Sequence, residues 1–211
     1  GSVSCVHSAP SSSTATTSGR KINVQKPGTN VKALVSSALL AGAVYLAPHM
    51  QMSQKGLDDL KKHEGLSLVP YKDQAGVLTV CYGDTKDVHP HRVYSMKECN
   101  TRLKEAVEAH TAPIGKYVAV PLTQGQYDAL GDFIYQFGEA KFRDSTLLKR
   151  LNRWDCWGAT EAFMDWVNVN GAPNRGVTTR RIHNVRLFAQ GCAVWEKYGL
   201  GPALNTEGTI E

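Results

Sequence analysis

Apolar residues recur every three or four positions through most of residues 53–200, which is the period of amphipathic helices. Helix starts are predicted at five residues that can cap a first turn: Ser53, Ser95, Thr123, Ser145 and Asp155. Gly65 and Gly138 are expected to end the first and third of these helices. A last long helix is predicted over residues 178–190. The pattern therefore indicates a mainly helical domain.

Residues 67–85 break this helical period. Strand-forming side chains such as Val69, Tyr71 and Val80 surround the turn-like segment 72–76. We expect a small antiparallel hairpin inserted after the first helix. The predicted fold class is therefore α+β, with a small β-hairpin lobe, a larger helical lobe and an active-site cleft between them.

The amino-terminal region differs in composition from the rest. Residues 1–30 are rich in Ser, Thr, Pro and Gly and are expected to form a disordered leader, in which Gly1-Ser2 is typical of a cleaved tag. Residues 31–50 are weakly hydrophobic and follow basic residues, as in an export signal. A buried helix of the domain is the alternative for this segment. The catalytic domain is then expected over residues 51–211.

The distribution of charge along the chain limits the kinds of macromolecule that the protein is expected to bind. The chain carries a net charge of +5, but residues 1–55 hold five basic residues and no acid, so the remainder is neutral. A uniformly basic nucleic-acid-binding protein is therefore disfavoured, and we expect no nucleic-acid partner. Residues 56–139 carry −3 and residues 140–206 carry +5, which suits a basic helical lobe that grips an anionic polymer.

Five cysteines do not form a metal-ligand pattern. No CxxC pair occurs, so a structural zinc site is not expected. Because the number is odd, at least one thiol stays unpaired within the chain.

Three polar residues after the first helix suggest chemistry. Glu64 is predicted at the end of that helix, on the same face as Leu57 and Leu60, where an inward carboxyl suits a general acid. Asp73 falls in the hairpin turn and Thr79 on the returning strand. Taken singly, these are a helix-end Glu paired with a base, a turn Asp and a strand Thr. Taken together, two carboxyls in unequal surroundings and a hydroxyl suit the cleavage of a glycosidic bond.

The segment 64–79 resembles the active-site segment of the phage lysozymes of glycoside hydrolase family 24. That family's pattern is Glu, eight residues, Asp, five residues and Thr, which Glu64, Asp73 and Thr79 match without a gap. The resemblance covers residues 53–198. It implies a lysozyme-like fold, with Glu64 as the acid and Asp73 and Thr79 activating a water molecule for inversion.

The resemblance also implies further site residues. Gln136, Phe137 and Gly138 would line the sugar-binding cleft. Arg175 would hold Glu64 through a salt bridge, with Arg180 or Arg181 as alternatives for that role.

Two cysteines flank the chain that leaves the hairpin. Cys81 and Cys99 are expected either to form a disulfide in the periplasm or to be two small core residues. Cys156 and Cys192 are predicted on helices and are expected to be unpaired.

The function implied is that of an endolysin muramidase, which hydrolyses the β-1,4 bond between N-acetylmuramic acid and N-acetylglucosamine for host-cell lysis. Residues 31–48 resemble a signal-arrest-release segment, which implies export to the periplasm of a Gram-negative host and transient inner-membrane association. Peptidoglycan strands are the expected partner of a monomer that needs no metal and no cofactor, because carboxyl groups can make both proton transfers. A lytic transglycosylase and an inactive wall-binding protein on the same scaffold are the alternatives.

Overall fold

A computed structural model describes residues 29–73 and 75–201. The helices are α1 Thr29–Leu40, α2 Gln54–Glu64, α3 Met96–Tyr117, α4 Gln124–Asp144, α5 Thr146–Leu151, α6 Cys156–Glu161 and α7 Arg175–Lys197. The strands are β1 Ser67–Lys72, β2 Leu78–Cys81, β3 Asn168–Val169 and β4 Ala172–Pro173. Short 3-10 helices cover Ala47–His49 and Ala162–Trp166. The expected leader, except for its last two residues, lies outside the described residues.

Side-chain caps fix the helix starts that the sequence predicted. Ser53 accepts a hydrogen bond from the Gly56 N–H at the start of α2. Ser95 and Thr123 form complete capping boxes at the starts of α3 and α4. These caps satisfy backbone donors that no helical carbonyl can reach.

One predicted helix limit is confirmed and one differs. The backbone leaves helical geometry at Gly138, with φ 81° and ψ 167°, so the first part of α4 ends there as predicted, and a second helical part runs on to Asp144. Helix α7 begins at Arg175 and runs to Lys197, so it is longer at both ends than the predicted 178–190. The Asn174 side chain caps α7 by accepting from the Val177 N–H.

The predicted hairpin is formed by β1 and β2. The strands pair antiparallel, with Tyr71 opposite Thr79 and an irregularity between Ser67 and Tyr71. A second hairpin, β3 with β4, precedes α7 and was not predicted, because each of its strands has only two residues. The mainly helical chain with its small antiparallel sheet confirms the predicted α+β class.

The hydrophobic core surrounds α4, which packs against both α3 and α7. The Phe133 ring on α4 is fully buried and lies 5.8 Å from the ring of Phe163 and 5.1 Å from that of Trp166. Phe163 in turn packs 5.4 Å from Phe188 of α7. Interlocking rings of this kind fix the orientation of α7 against α4, and both helices carry residues of the site.

The weakly hydrophobic amino-terminal segment contacts this core. Ala38, Val44 and Ala47 are buried, and Tyr45 pairs with Leu122 through two backbone hydrogen bonds. Leu40, by contrast, is 90% exposed. Within the described residues, no helix has the length and apolar character needed to cross a membrane.

Disulfides join elements at two places. Cys81 at the end of β2 is bonded to Cys99 in the first turn of α3, with the Cα atoms 5.0 Å apart. Cys156 of α6 is bonded to Cys192 of α7, with the Cα atoms 5.6 Å apart. The expectation that Cys156 and Cys192 are unpaired is therefore wrong. Both residues do lie on helices, but these helices pack side by side and bring the two sulfurs together.

Candidate active site

Glu64 is presented by the carboxyl end of α2, and contacts with α4 fix the other end of that helix. The Asp128 carboxylate accepts hydrogen bonds from the Ser53 N–H at 2.8 Å and from the Ser53 hydroxyl at 2.5 Å. Gly56 lets the two helices approach, because a Cβ there would lie 2.7 Å from Asp128 Cγ. Gly65, with φ 72°, then turns the chain directly into β1. Glu64 therefore lies where the helical part meets the hairpin.

The Glu64 carboxylate is held by Arg180 of α7. Arg180 Nη1 donates to Glu64 Oε1 at 2.8 Å, and the Glu64 side chain is 22% exposed. Arg180 also contacts Asp132 of α4, with Nε 3.0 Å from both carboxylate oxygens and Nη2 2.9 Å from Oδ1. One buried guanidinium thus bridges two carboxylates from different helices.

Arg181 extends the same network toward the predicted cleft residues. Its Nη2 donates to Asp132 Oδ2 and to Gln136 Oε1, both at 2.9 Å. Its guanidinium lies 5.1 Å from the ring centre of Phe137, within the range of a cation–π contact. Burial lowers the pKa of Arg181 to about 10, against the opposing effect of Asp132, so the group is still charged at neutral pH.

Asp73 and Thr79 share a backbone partner in the hairpin. Asp73 Oδ1 accepts hydrogen bonds from the N–H groups of Ala75 and Val77 at 2.9 and 2.8 Å. The Thr79 hydroxyl donates to the Val77 carbonyl at 3.0 Å. Asp73 is exposed, whereas Thr79 is 3% exposed. Val77 therefore ties both polar side chains to one short stretch of the turn.

The hairpin is braced against α3 close to these residues. The disulfide at Cys81 lies two residues after Thr79. Arg102 of α3 donates to Asp84 Oδ2 at 2.5 Å and to the Lys86 carbonyl at 2.7 Å. These bonds hold the chain that follows β2.

Two titratable groups around Glu64 have shifted pKa values. Burial, followed by the charges of Glu64 and Asp84, raises the pKa of Tyr135 to about 12, so its phenol stays protonated. Burial lowers the pKa of His63, and the charge of Arg180 adds to that effect while Asp132 opposes it. At neutral pH, both groups therefore favour uncharged forms beside the Glu64 carboxyl.

Of the three arginines that the sequence offers as partners of Glu64, Arg180 makes the salt bridge. The bond comes from Arg180, whereas Arg175 is an exposed residue at the first position of α7. Asp132 is not among the site residues predicted from the sequence. A signal was present, because Asp128 and Asp132 are two acids four residues apart on the apolar stretch of α4, and acids are rarely buried without a partner.

A helical lobe, an antiparallel hairpin and a carboxylate at their junction define a lysozyme-like fold. The model of the phage lysozyme family matches residues 61–184, and the chain belongs to this family. It is an endolysin of the lysozyme type, a glycosidase that degrades the bacterial cell wall.

Individual relatives support this assignment. The chain is 36% identical to the SAR-endolysin of Bacteriophage PS119, over 70% of this chain and 87% of that protein. It is 38% identical to the SAR-endolysin of Escherichia phage Mu, over 71% and 84%. The endolysin from Escherichia coli O157:H7 phage FAHEc1 has a similar solved structure, with a TM-score of 0.62, 35% identity, and coverage of 66% of this chain and 94% of that one.

Proposed function

We propose that this chain is an inverting muramidase that hydrolyses the β-1,4 bond between N-acetylmuramic acid and N-acetylglucosamine in peptidoglycan. The observation that carries the proposal is the Arg180-bound carboxyl of Glu64 at the end of α2, directly before a hairpin that bears Asp73 and Thr79. A pair of carboxyls with different surroundings is what acid–base cleavage of a glycoside needs.

Glu64 supplies the proton in the first half of the reaction. Because Arg180 binds Oε1, the other oxygen, Oε2, carries the acidic proton and gives it to the glycosidic oxygen as the bond to C1 breaks. The electron pair of that bond leaves with the protonated oxygen. Arg180 then stabilises the carboxylate that remains.

Asp73 and Thr79 direct water to the opposite face of the sugar. Two backbone N–H groups occupy Asp73 Oδ1, so Oδ2 is the oxygen that accepts a proton from the attacking water. The Thr79 hydroxyl gives its own hydrogen to Val77 and keeps lone pairs that can accept the second hydrogen of the same water.

The remaining proposed site residues bind the glycan. Gln136, Phe137 and Gly138 would line the cleft at the break in α4, where Gly138 leaves the backbone free to approach a sugar. Arg175 is exposed at the start of α7 and would contact an anionic peptide stem of the substrate. A monomer suffices for this chemistry.

Loss of turbidity tests the enzyme assignment. Wild-type protein should lyse outer-membrane-stripped Gram-negative cells, and Glu64→Gln should lower the rate at least about 100-fold because no proton donor remains. Glu105→Gln is the matched control, since Glu105 is an exposed glutamate on α3. Equal slow lysis by wild type and Glu64→Gln would favour the inactive wall-binding protein.

The products separate a muramidase from a lytic transglycosylase. Hydrolysis adds one water to each cleaved bond, whereas a transglycosylase forms an anhydro sugar. A mass spectrum of the released fragments should contain hydrated ends alone. Anhydro ends would overturn the assignment of Asp73 and Thr79 to water activation.

We further propose export to the periplasm with transient inner-membrane association through residues 31–48. Two similar proteins are named SAR-endolysins, and both disulfides suit an oxidising compartment. In the released form this segment would adopt the arrangement in which Ala38, Val44 and Ala47 pack on the core.

Fractionation of the protein expressed with its leader, followed by intact mass, tests the export proposal. A membrane-bound, uncleaved species that later becomes soluble would support arrest and release. A shortened soluble species would instead indicate a cleaved export signal.

A further inference from the structure

We propose that Asp132 is a positioning residue for catalysis, which acts on Glu64 through Arg180 and on Gln136 through Arg181. The inference rests on the proposed function, because it takes Glu64 as the general acid. Among the described residues, the side chain of Asp132 makes its hydrogen bonds to Arg180, Arg181 and Asn184 rather than to Glu64 or Gln136, so its effect passes through the two arginines.

Asp132 is the common acceptor of three donors from α7. Arg180 and Arg181 donate from consecutive positions, and Asn184 Nδ2 donates to Oδ2 at 3.0 Å. The side chain of Asp132 is 9% exposed, that of Arg180 is 8% exposed and that of Arg181 is fully buried. Solvent therefore screens these charges little, and their balance is set by the protein.

Charge balance explains why a second carboxylate is needed beside the general acid. A general acid must carry its proton before the glycosidic bond breaks, but nearby guanidinium groups favour its charged form. Asp132 accepts hydrogen bonds from Nε of Arg180 and lies 2.9 Å from its Nη2, which leaves Nη1 for Glu64. It also accepts a hydrogen bond from Nη2 of Arg181. Asp132 thus compensates one of the two positive charges, which would otherwise both favour the charged form of Glu64.

The same carboxylate sets the direction of a cleft amide. Asp132 holds Arg181 Nη2, which also donates to Gln136 Oε1. With its oxygen engaged, Gln136 can offer its amide N–H groups to a substrate carbonyl, such as that of an N-acetyl group. Asp132 therefore couples the acid at the end of α2 to an amide one turn further along α4.

Several charged or titratable groups face this network and enter its pH dependence. They are Arg180 and Arg181 of α7, Glu64 and His63 of α2, Tyr135 of α4, Asp84 after β2 and His183 of α7. His63 and Tyr135 favour neutral forms at neutral pH, so the balance depends mainly on Asp132 and the two arginines.

Asp132→Asn tests the proposal in the full chain, assayed on soluble uncross-linked peptidoglycan fragments. Without the Asp132 charge, both arginines favour the charged form of Glu64. The alkaline limb of the kcat–pH profile should therefore move to lower pH by about one unit. We expect kcat at neutral pH to fall about tenfold to 100-fold, and KM to change by less than about threefold. An unchanged pH profile in folded Asp132→Asn would overturn the proposal.

Asp128→Asn is the matched control. Asp128 is also a buried carboxylate on α4, one turn away, but it binds Ser53 at the start of α2 rather than Arg180. It should lower the melting temperature without moving the alkaline limb. An equal shift in this control would assign the effect of Asp132 to lost stability and overturn the positioning role.

Two further variants keep the test decisive. If Asp132→Asn does not fold, Asp132→Ser removes the charge and leaves space for water beside the arginines, and it should give the same shift. Glu64→Gln is measured in parallel. If Glu64→Gln keeps its activity, the proposed function fails. If it is inactive while the Asp132 variants keep the wild-type profile, only the positioning role fails.

Discussion

The two disulfides should respond differently to removal, because they close chains of different length in different places. Cys81–Cys99 closes a separation of 18 residues next to Thr79, and Cys156–Cys192 closes 36 residues between α6 and α7. In the chain-entropy model, loops of these lengths correspond to about 3 and about 4 kcal/mol of stability. Stability should therefore depend more on the second bond, and activity more on the first.

One disulfide should affect mainly activity and the other mainly stability because the two bonds lie in different parts of the molecule. The first disulfide joins the end of β2 to α3 two residues after Thr79, and the β1–β2 hairpin carries both Asp73 and Thr79. Cys156 and Cys192 lie in the packed helical part, where Gln126 and Thr160 contact their sulfurs. We therefore expect loss of the bond to Cys99 to shift the hairpin and its two site residues while the helical part stays folded.

Urea unfolding and turbidity assays of the double variants Cys81→Ala/Cys99→Ala and Cys156→Ala/Cys192→Ala measure the two effects. Activity is compared at a temperature where both variants are fully folded. We expect the first pair to lose at least about tenfold in rate and the second pair less than about twofold. Equal losses of activity in the two folded variants would refute the argument that the first disulfide positions the hairpin.

Further changes test single features of the fold. Gly138→Ala should lower the free energy of unfolding by about 1–3 kcal/mol, measured by urea titration, because φ is 81° at this position. The loss would come from backbone strain alone, since an added Cβ would meet no atom within 4 Å. An unchanged free energy of unfolding would contradict a strained backbone at the break in α4. Gly191→Ala should also destabilise, by about 1–3 kcal/mol in the same titration, because its Cβ would lie 2.3 Å from Gln126 Cδ in the α4 capping box; wild-type stability would show that the α4–α7 contact is looser. Burial acts to raise the pKa of Asp59, but hydrogen bonds from Lys55 and Lys62 outweigh it and hold the pKa at about 2. Because the folded-state pKa lies below the ordinary value, this contribution to stability is present above about pH 4 and is lost as the pH falls through about 2. The stability difference between wild type and Asp59→Asn should therefore shrink over that range, and a constant difference would contradict the assignment.

Local features of the fold could be predicted from the sequence. Ser53, Ser95 and Thr123 are predictable as helix starts because the hydroxyl of each can accept a hydrogen bond from the backbone N–H three residues later. The β1–β2 hairpin followed from strand formers on either side of a turn. Glu64 was placed correctly at the end of α2 because Gly65 directly follows it.

Contacts between distant residues could not be predicted in this way. The pairing of Cys156 with Cys192 depends on how α6 packs against α7. The sequence pattern of each helix shows which residues are apolar, but it does not show how the two helices are oriented against each other. The choice of Arg180 over Arg175 depends on which face of α7 meets α4, and α7 begins before the predicted helix start. The position of Asp132 on the apolar stretch of α4 indicates a buried acid, but the sequence does not identify its partners, because they lie 48 or more residues away.

Proton NMR of freshly cleaved glycan tests the proposed mechanism most directly. If Glu64 protonates the leaving oxygen while water held by Asp73 and Thr79 attacks the opposite face, the first new reducing end is the α-anomer, which then equilibrates. Initial formation of the β-anomer would contradict inversion, and the appearance of an anhydro sugar would contradict hydrolysis.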